Sequence, residues 1–177
     1  MLSTFEISIL DAIASMRTAF WDGFFSCVTH LGDAGLAWIA LGCALCVKRK
    51  YRLAGLTVLA ALLADVLLCN ALIKPLVRRI RPYEINTAVQ LLIARPSDYS
   101  FPSGHTAASF AAASALLFAG KRRLAVGAFV LAVVIGFSRL YLYVHFPTDV
   151  LAGAALGTLC GFVGAKAATR AFSSLRS

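Results

Sequence analysis

The chain has 177 residues, 60% of them hydrophobic and 14% charged, with 17 Lys and Arg against 8 Asp and Glu. That balance excludes an ordinary soluble domain, and the apolar residues gather in long blocks rather than short alternating runs. The net charge of +9 does not point to nucleic acid: Lys48-Arg49-Lys50, Lys121-Arg122-Arg123 and Lys166, Arg170 and Arg176 each end an apolar block, with no aromatic-studded basic groove. Such placement marks topology signals and contacts with anionic lipid.

In chain order, residues 3 to 22 have helical periodicity but are too polar to span. Phe5, Ile9, Ile13, Met16 and Phe20 fall on one stripe, and Ser8, Asp11, Ser15, Thr18 and Asp22 on the opposite one. The pattern predicts an amphipathic helix, lying in the membrane interface or packed across the helix ends. It has neither the basic start nor the cleavage site of a signal peptide. A first span is expected from about Thr29 to Val47, with His30-Leu-Gly-Asp33 at its outer end as a polar helix start. A second runs from Leu53 to Ile73, 21 residues interrupted only by Asp65 and Asn70, enough to cross a core of ~30 Å. Asp65 lies mid-span, and Lys74 is nine positions on, about 13 Å along a helix, so a packing role is expected of Asp65.

Lys74 to Ser100 is the longest polar segment, broken by Pro75, Pro82 and Pro96, and its apolar patch Ala88 to Ala94 suits an interfacial dip. A third span is expected from about Ser103 to Ala119, a fourth from Leu124 to Phe137 or Tyr143, and a fifth from Pro147 to Ala168. Gly153, Gly157, Gly161 and Gly164 in the fifth, and Ala107, Ala111 and Ala115 in the third, form small-residue stripes that admit a close neighbour. The five cysteines fall in or beside apolar segments at no framework spacing, and Cys43 and Cys46 lack a second pair for zinc. The fold class is therefore all-α: one integral membrane domain over residues 1–177, with about five transmembrane helices and an N-terminal amphipathic helix.

With five spans, ten basic residues and none of the eight acids fall on the side of the C-terminus. The rule that basic loops stay inside puts that side in the cytoplasm and the polar motifs outside. Those motifs lie at one face: Lys74 and Arg81-Pro82 after the second span, Pro102-Ser103-Gly104-His105 opening the third, and Ser138-Arg139 with His145 and Asp149 between the fourth and fifth. Each alone is weak, since a lone cation at a helix end is usually an anchor and a lone histidine usually interfacial. Together they collect what phosphoryl chemistry needs. Lys74, Arg81 and Arg139 can neutralise phosphate oxygens, and the start of the third span offers backbone N–H groups, the close approach of Gly104 and the Ser103 hydroxyl. One histidine must attack and another protonate the leaving oxygen; by chemistry alone they are interchangeable, but Asp149 four residues after His145 fits a carboxylate that orients a nucleophile. Pro147 at a first helical position sets Asp149 in the first turn.

Lys74-x6-Arg81-Pro82, Pro102-Ser103-Gly104-His105 and Ser138-Arg139-x5-His145-x3-Asp149 together resemble the signature of the type 2 phosphatidic acid phosphatase family. That superfamily includes lipid phosphatases, glucose-6-phosphatase and vanadium haloperoxidases, and His30-Leu-Gly-Asp33 looks like an upstream landmark of its bacterial members. The resemblance implies a metal-independent phosphatase without cofactor, forming a phosphohistidine at His145 with His105 as acid, while Lys74, Arg81, Ser103, Gly104 and Arg139 hold phosphate. Many members carry a further N-terminal span where this chain has the amphipathic helix.

A lipid phosphatase acting at the extracytoplasmic face is the expected function. Similarity to small bacterial members favours undecaprenyl diphosphate, with phosphatidic acid, phosphatidylglycerol phosphate and lipid A phosphates as alternatives. A lipid phosphotransferase is a near neighbour, because an alcohol can discharge a phosphohistidine as water does. The apolar content opposes a haloperoxidase, and the complete set of cations and histidines opposes a transporter or an inactive scaffold. Oligomeric state is left unassigned.

Overall fold

In the computed structural model, residues 2–174 are described, and Arg176 of the C-terminal basic group lies outside them. The chain forms α1 (Leu2–Ser15), α2 (Ala19–His30), α3 (Leu36–Val47), α4 (Arg52–Asp65), α5 (Lys74–Val77), α6 (Pro82–Ile85), α7 (Gly104–Phe118), α8 (Arg122–Tyr141) and α9 (Pro147–Ser174), with no strand among the described residues. Helix α4 with its continuation, α8 and α9 are each long and apolar enough to cross a membrane. Helices α2 and α3, bent by 43° at a short break, qualify together, and α7 is a shorter apolar helix. The all-α membrane bundle expected from the sequence is the fold observed.

Helix α7 occupies the centre, against α9, α8 and α4. Small residues permit this. A Cβ on Gly157 would stand 2.2 Å from the Ala107 carbonyl oxygen, and one on Gly161 2.6 Å from Ser114 Cβ, so a glycine-for-alanine exchange would drive α9 off α7. Gly164 plays the same part against Ala61 of α4, at 2.6 Å from its backbone nitrogen. With 15 residues, α7 is only ~22 Å long, short of a ~30 Å hydrocarbon core. The basic turns before α4 and before α8 share one end of the bundle, where Lys121 Nζ lies 4.9 Å from the Tyr51 ring centre.

Three departures from the sequence expectations bear on the site. The helix expected over 3–22 breaks after Ser15, and Thr18 caps a new helix by accepting from the Trp21 N–H, so the first apolar segment starts at Ala19. The buried face of α1 is Glu6, Leu10 and Ile13, while Phe5 and Met16 of the expected stripe are exposed. In the second span, α4 gives way at Asp65 to a π-helical stretch, Val66–Ile73, before α5. Pro75, just beyond, lacks an N–H and its ring opposes the carbonyl one α-turn back; widening to i→i+5 pairing relieves this and changes the direction in which Lys74 projects. Finally, the patch expected to suit an interfacial dip is partly buried: Val89, Leu91, Leu92 and Ile93 pack on a second apolar cluster with Tyr83, Tyr141 and Phe146.

Candidate active site

Lys74, Arg81, Gly104, His105, Arg139 and His145 line one cavity of about 350 Å³, with Thr29, Asp33 and Asp98 on the same wall. Ser103 and Asp149, both fully buried, lie behind that lining. Each side chain owes its direction to a local feature. Lys74 follows the π-helical stretch. Arg81 precedes Pro82, which favours extended backbone (φ −88°, ψ 156°), and Glu84 Oε2 accepts from its N–H at 2.9 Å. Arg139 leaves the last turn of α8, and His145 sits in the turn between α8 and α9, where Tyr143 takes a left-handed conformation (φ 62°).

The three cations are nearly sealed, at 6%, 2% and 3% exposure for Lys74, Arg81 and Arg139. Arg81 donates to the Val144 carbonyl at 2.6 Å and to Asp98 Oδ1 at 2.6 Å, and its Nη1 lies 3.3 Å from His145 Nε2. Lys74 donates to Asp98 Oδ2. Arg139 donates to the Thr29 hydroxyl through Nη1, while its buried Nε has no partner among the described residues. Burial pushes the Asp98 carboxyl up, but the Lys74 hydrogen bond and the Lys74 and Arg81 charges outweigh it and hold the group at about 2.

His145 Nδ1 faces Asp149 Oδ2 at 3.5 Å, a long contact, leaving Nε2 on the Arg81 side. Asp149 is tightly fixed: its Oδ2 accepts from the Ser100 hydroxyl at 2.5 Å and the Phe146 N–H at 2.9 Å, and its Oδ1 from Arg79 at 2.6 Å. Arg79 also donates to Glu6 Oε2 at 2.5 Å and stacks 3.8 Å from the Phe146 ring centre. Burial first, then the charges of Arg81, Arg139 and Lys74, holds the His145 ring well below the usual histidine pKa, so it is neutral near pH 7. A neutral imidazole with a fixed carboxylate at one nitrogen has a lone pair available at the other.

His105 presents Nε2 to Asp33 Oδ1 at 2.9 Å, and Asp33 Oδ2 meets His30 Nδ1 at 2.7 Å. The turn that carries Asp33 holds Ala34 and Gly35 in left-handed backbone (φ 49° and 67°). A Cβ on Gly32 would stand 2.7 Å from His105 Cδ2, so glycine is what lets this turn reach the ring. Ser103 starts α7 without capping it; its hydroxyl accepts from Thr106 at 3.0 Å.

The sequence reading missed Asp98, Arg79, Glu6 and Ser100, and gave Asp33 only a place in a polar helix start. Asp98 and Ser100 stand within five residues of Ser103, a proximity that could have flagged them. Arg79 in a run of basic residues and Glu6 in an amphipathic helix carry no comparable signal, because their partners are about 70 and 142 positions away.

The sequence profile of the PAP2 superfamily matches residues 54–172. An undecaprenyl-diphosphatase of Sulfolobus acidocaldarius is 30% identical over 159 residues, covering 90% of this chain and 76% of its own length. Among solved structures, Aquifex aeolicus LpxE aligns with a TM-score of 0.78 and 32% identity, over 90% of this chain and 93% of that one. The transmembrane PAP2-type phosphatidylglycerolphosphate phosphatase of Bacillus subtilis aligns at 0.76 and 29%, over 99% and 88%. With a matched profile, matched folds and its apolar helices, the chain belongs to the PAP2 superfamily and is a multi-pass membrane enzyme of the lipid-phosphatase class.

Proposed function

We propose that the enzyme cleaves a lipid phosphomonoester or diphosphate at the extracytoplasmic face through a phosphohistidine at His145. The observation that carries this is the seating of His145, with Asp149 Oδ2 at Nδ1 and the Arg81 guanidinium 3.3 Å from Nε2. In the first step the Nε2 lone pair attacks phosphorus, the bond from phosphorus to the leaving oxygen breaks, and His105 delivers a proton to that oxygen. In the second, water attacks phosphorus and gives its proton to His105, the bond from phosphorus to His145 Nε2 breaks, and inorganic phosphate leaves. Asp149 stabilises the imidazolium that forms, and Lys74, Arg81 and Arg139, with the N–H groups opening α7, take the charge that develops on the phosphoryl oxygens. Arg139 Nε, unpartnered among the described residues, is one donor for that purpose.

Undecaprenyl diphosphate is the preferred substrate in this reading, supported by similarity to the Sulfolobus acidocaldarius enzyme, with phosphatidylglycerol phosphate, phosphatidic acid and lipid A phosphates next. The clustering of basic residues at the far end of the bundle supports an extracytoplasmic site and a cytoplasmic C-terminus. The test is phosphate release from a panel of lipid phosphates in detergent with a chelator present. Release without added metal is expected, with the highest kcat/KM on undecaprenyl diphosphate; strict dependence on a divalent ion would contradict the scheme.

A further inference from the structure

Asp98 lies outside the family signature, yet its carboxylate is seated on two of the three buried cations. Oδ2 accepts from Lys74 Nζ, Oδ1 from Arg81 Nη2 at 2.6 Å, and the Asp98 carbonyl oxygen from Arg81 Nε at 2.9 Å. The first two donors are ones a phosphoryl group must engage in the reading above. The residue stands between α6 and α7 in a segment without helix, and its side chain is 50% exposed against 7% and 3% for its partners. The carboxylate can therefore turn outward while its own carbonyl keeps Arg81 aimed.

The surroundings of such a site are full of competing anions. Anionic phosphodiester headgroups carry one negative charge each, and buried cations at a membrane face would fill with them. A phosphomonoester carries about −1.5 to −2 at neutral pH and offers three strong acceptor oxygens. A tethered carboxylate of charge −1 competes at high effective concentration, which suffices against an equal charge in solution but not against a denser one.

We propose that Asp98 is a specificity-determining residue that sets the charge threshold of the site: phosphomonoesters and diphosphates displace it from Lys74 and Arg81, and singly charged phosphodiester lipids do not. The inference rests on the phosphatase reading and adds a reason for substrate selection, which arises from exclusion as well as attraction.

The experiment measures phosphate release from a fixed mole fraction of phosphatidic acid in mixed micelles, diluted with either phosphatidylcholine or phosphatidylglycerol. The wild-type rate is expected to be the same in both diluents. In Asp98→Asn, phosphatidylglycerol becomes a competitive inhibitor, its inhibition constant at least about tenfold lower, equivalent to ~1.4 kcal/mol, and the KM for phosphatidic acid falls. Asp98→Glu restores insensitivity to phosphatidylglycerol. Loss of kcat or thermal stability in Asp98→Asn with unchanged diester sensitivity would reduce the residue to a structural brace and overturn the proposal. Should that variant not fold, the wild-type comparison still decides: stronger inhibition by phosphatidylglycerol than by phosphatidylcholine refutes it. Absence of release from every lipid phosphate would instead remove the phosphatase reading, and this inference with it.

Discussion

His145 and His105 each face a carboxylate across the same cavity, but the two pairs are built to opposite specifications. His145 is 1% exposed and its partner Asp149 is fully buried, tied down by Ser100, Arg79 and a backbone N–H. The His105 side chain is 21% exposed, and its partner Asp33, 50% exposed, is shared with the exposed His30. In the proposed chemistry the difference has a cause. A nucleophile must be aimed along one line and kept free of protons, which favours a rigid, cation-flanked pocket. An acid that is recharged every turnover must exchange protons with water, which favours a half-open pair.

The comparison can be broken at its strong end first. His145→Ala removes the attacking atom, and phosphate release should fall by roughly 10⁴-fold or more, measured with the preferred lipid substrate. His105→Ala should cost about 10²–10⁴-fold on a lipid substrate but much less on an ester with a strongly acidic leaving alcohol, which needs no proton. If leaving-group acidity makes no difference to that variant, His105 is not the acid. Asp33→Asn, which weakens a charge-assisted hydrogen bond, should lower kcat by about 10–100-fold with little change in KM.

The pH profile sharpens the contrast. Because the His145 pKa is displaced downward, its neutral form persists below the ordinary histidine value of ~6.5. Protonation of the nucleophile should therefore cut kcat/KM only well below pH 6.5; a His145-dependent loss beginning above 6.5 would contradict its electrostatic setting. The smallest effect is expected farthest from the cavity floor. Glu6→Gln keeps the shape but loses the ion pair to Arg79, and thermal unfolding in detergent should report a destabilisation of about 1–3 kcal/mol with the nucleophile still in place.

The same contrast explains what was legible in the sequence. His105, His145, Asp149, Arg81 and Arg139 were readable because each lies at a helix end marked by proline, glycine or a change in hydropathy, and because the three spacings recur together. The small-residue seam of α9 was readable from its four-residue period, and Gly157 and Gly161 do meet α7 there. The supports behind the site were not. Glu6 and Arg79 meet because α1 folds across the mouth of α9, and the stripe drawn through Phe5, Ile9, Ile13 and Met16 caught the buried Ile13 but took in the exposed Phe5 and Met16 and left out Glu6, since periodicity does not register a buried carboxylate. The π-helical stretch after Asp65 was invisible for a related reason: the apolar run continues through it with Asn70 as its one polar residue, and only Pro75 hints that α-helical pairing must yield.

The measurement that bears most directly on the account is identification of the phosphorylated residue after rapid quenching of the His105→Ala enzyme with a lipid substrate bearing an acidic leaving group. The account requires an acid-labile, base-stable phosphoryl group on the peptide containing His145, accumulating faster than inorganic phosphate appears. Label on any other residue, or continued release from a His145→Ala enzyme, would contradict it.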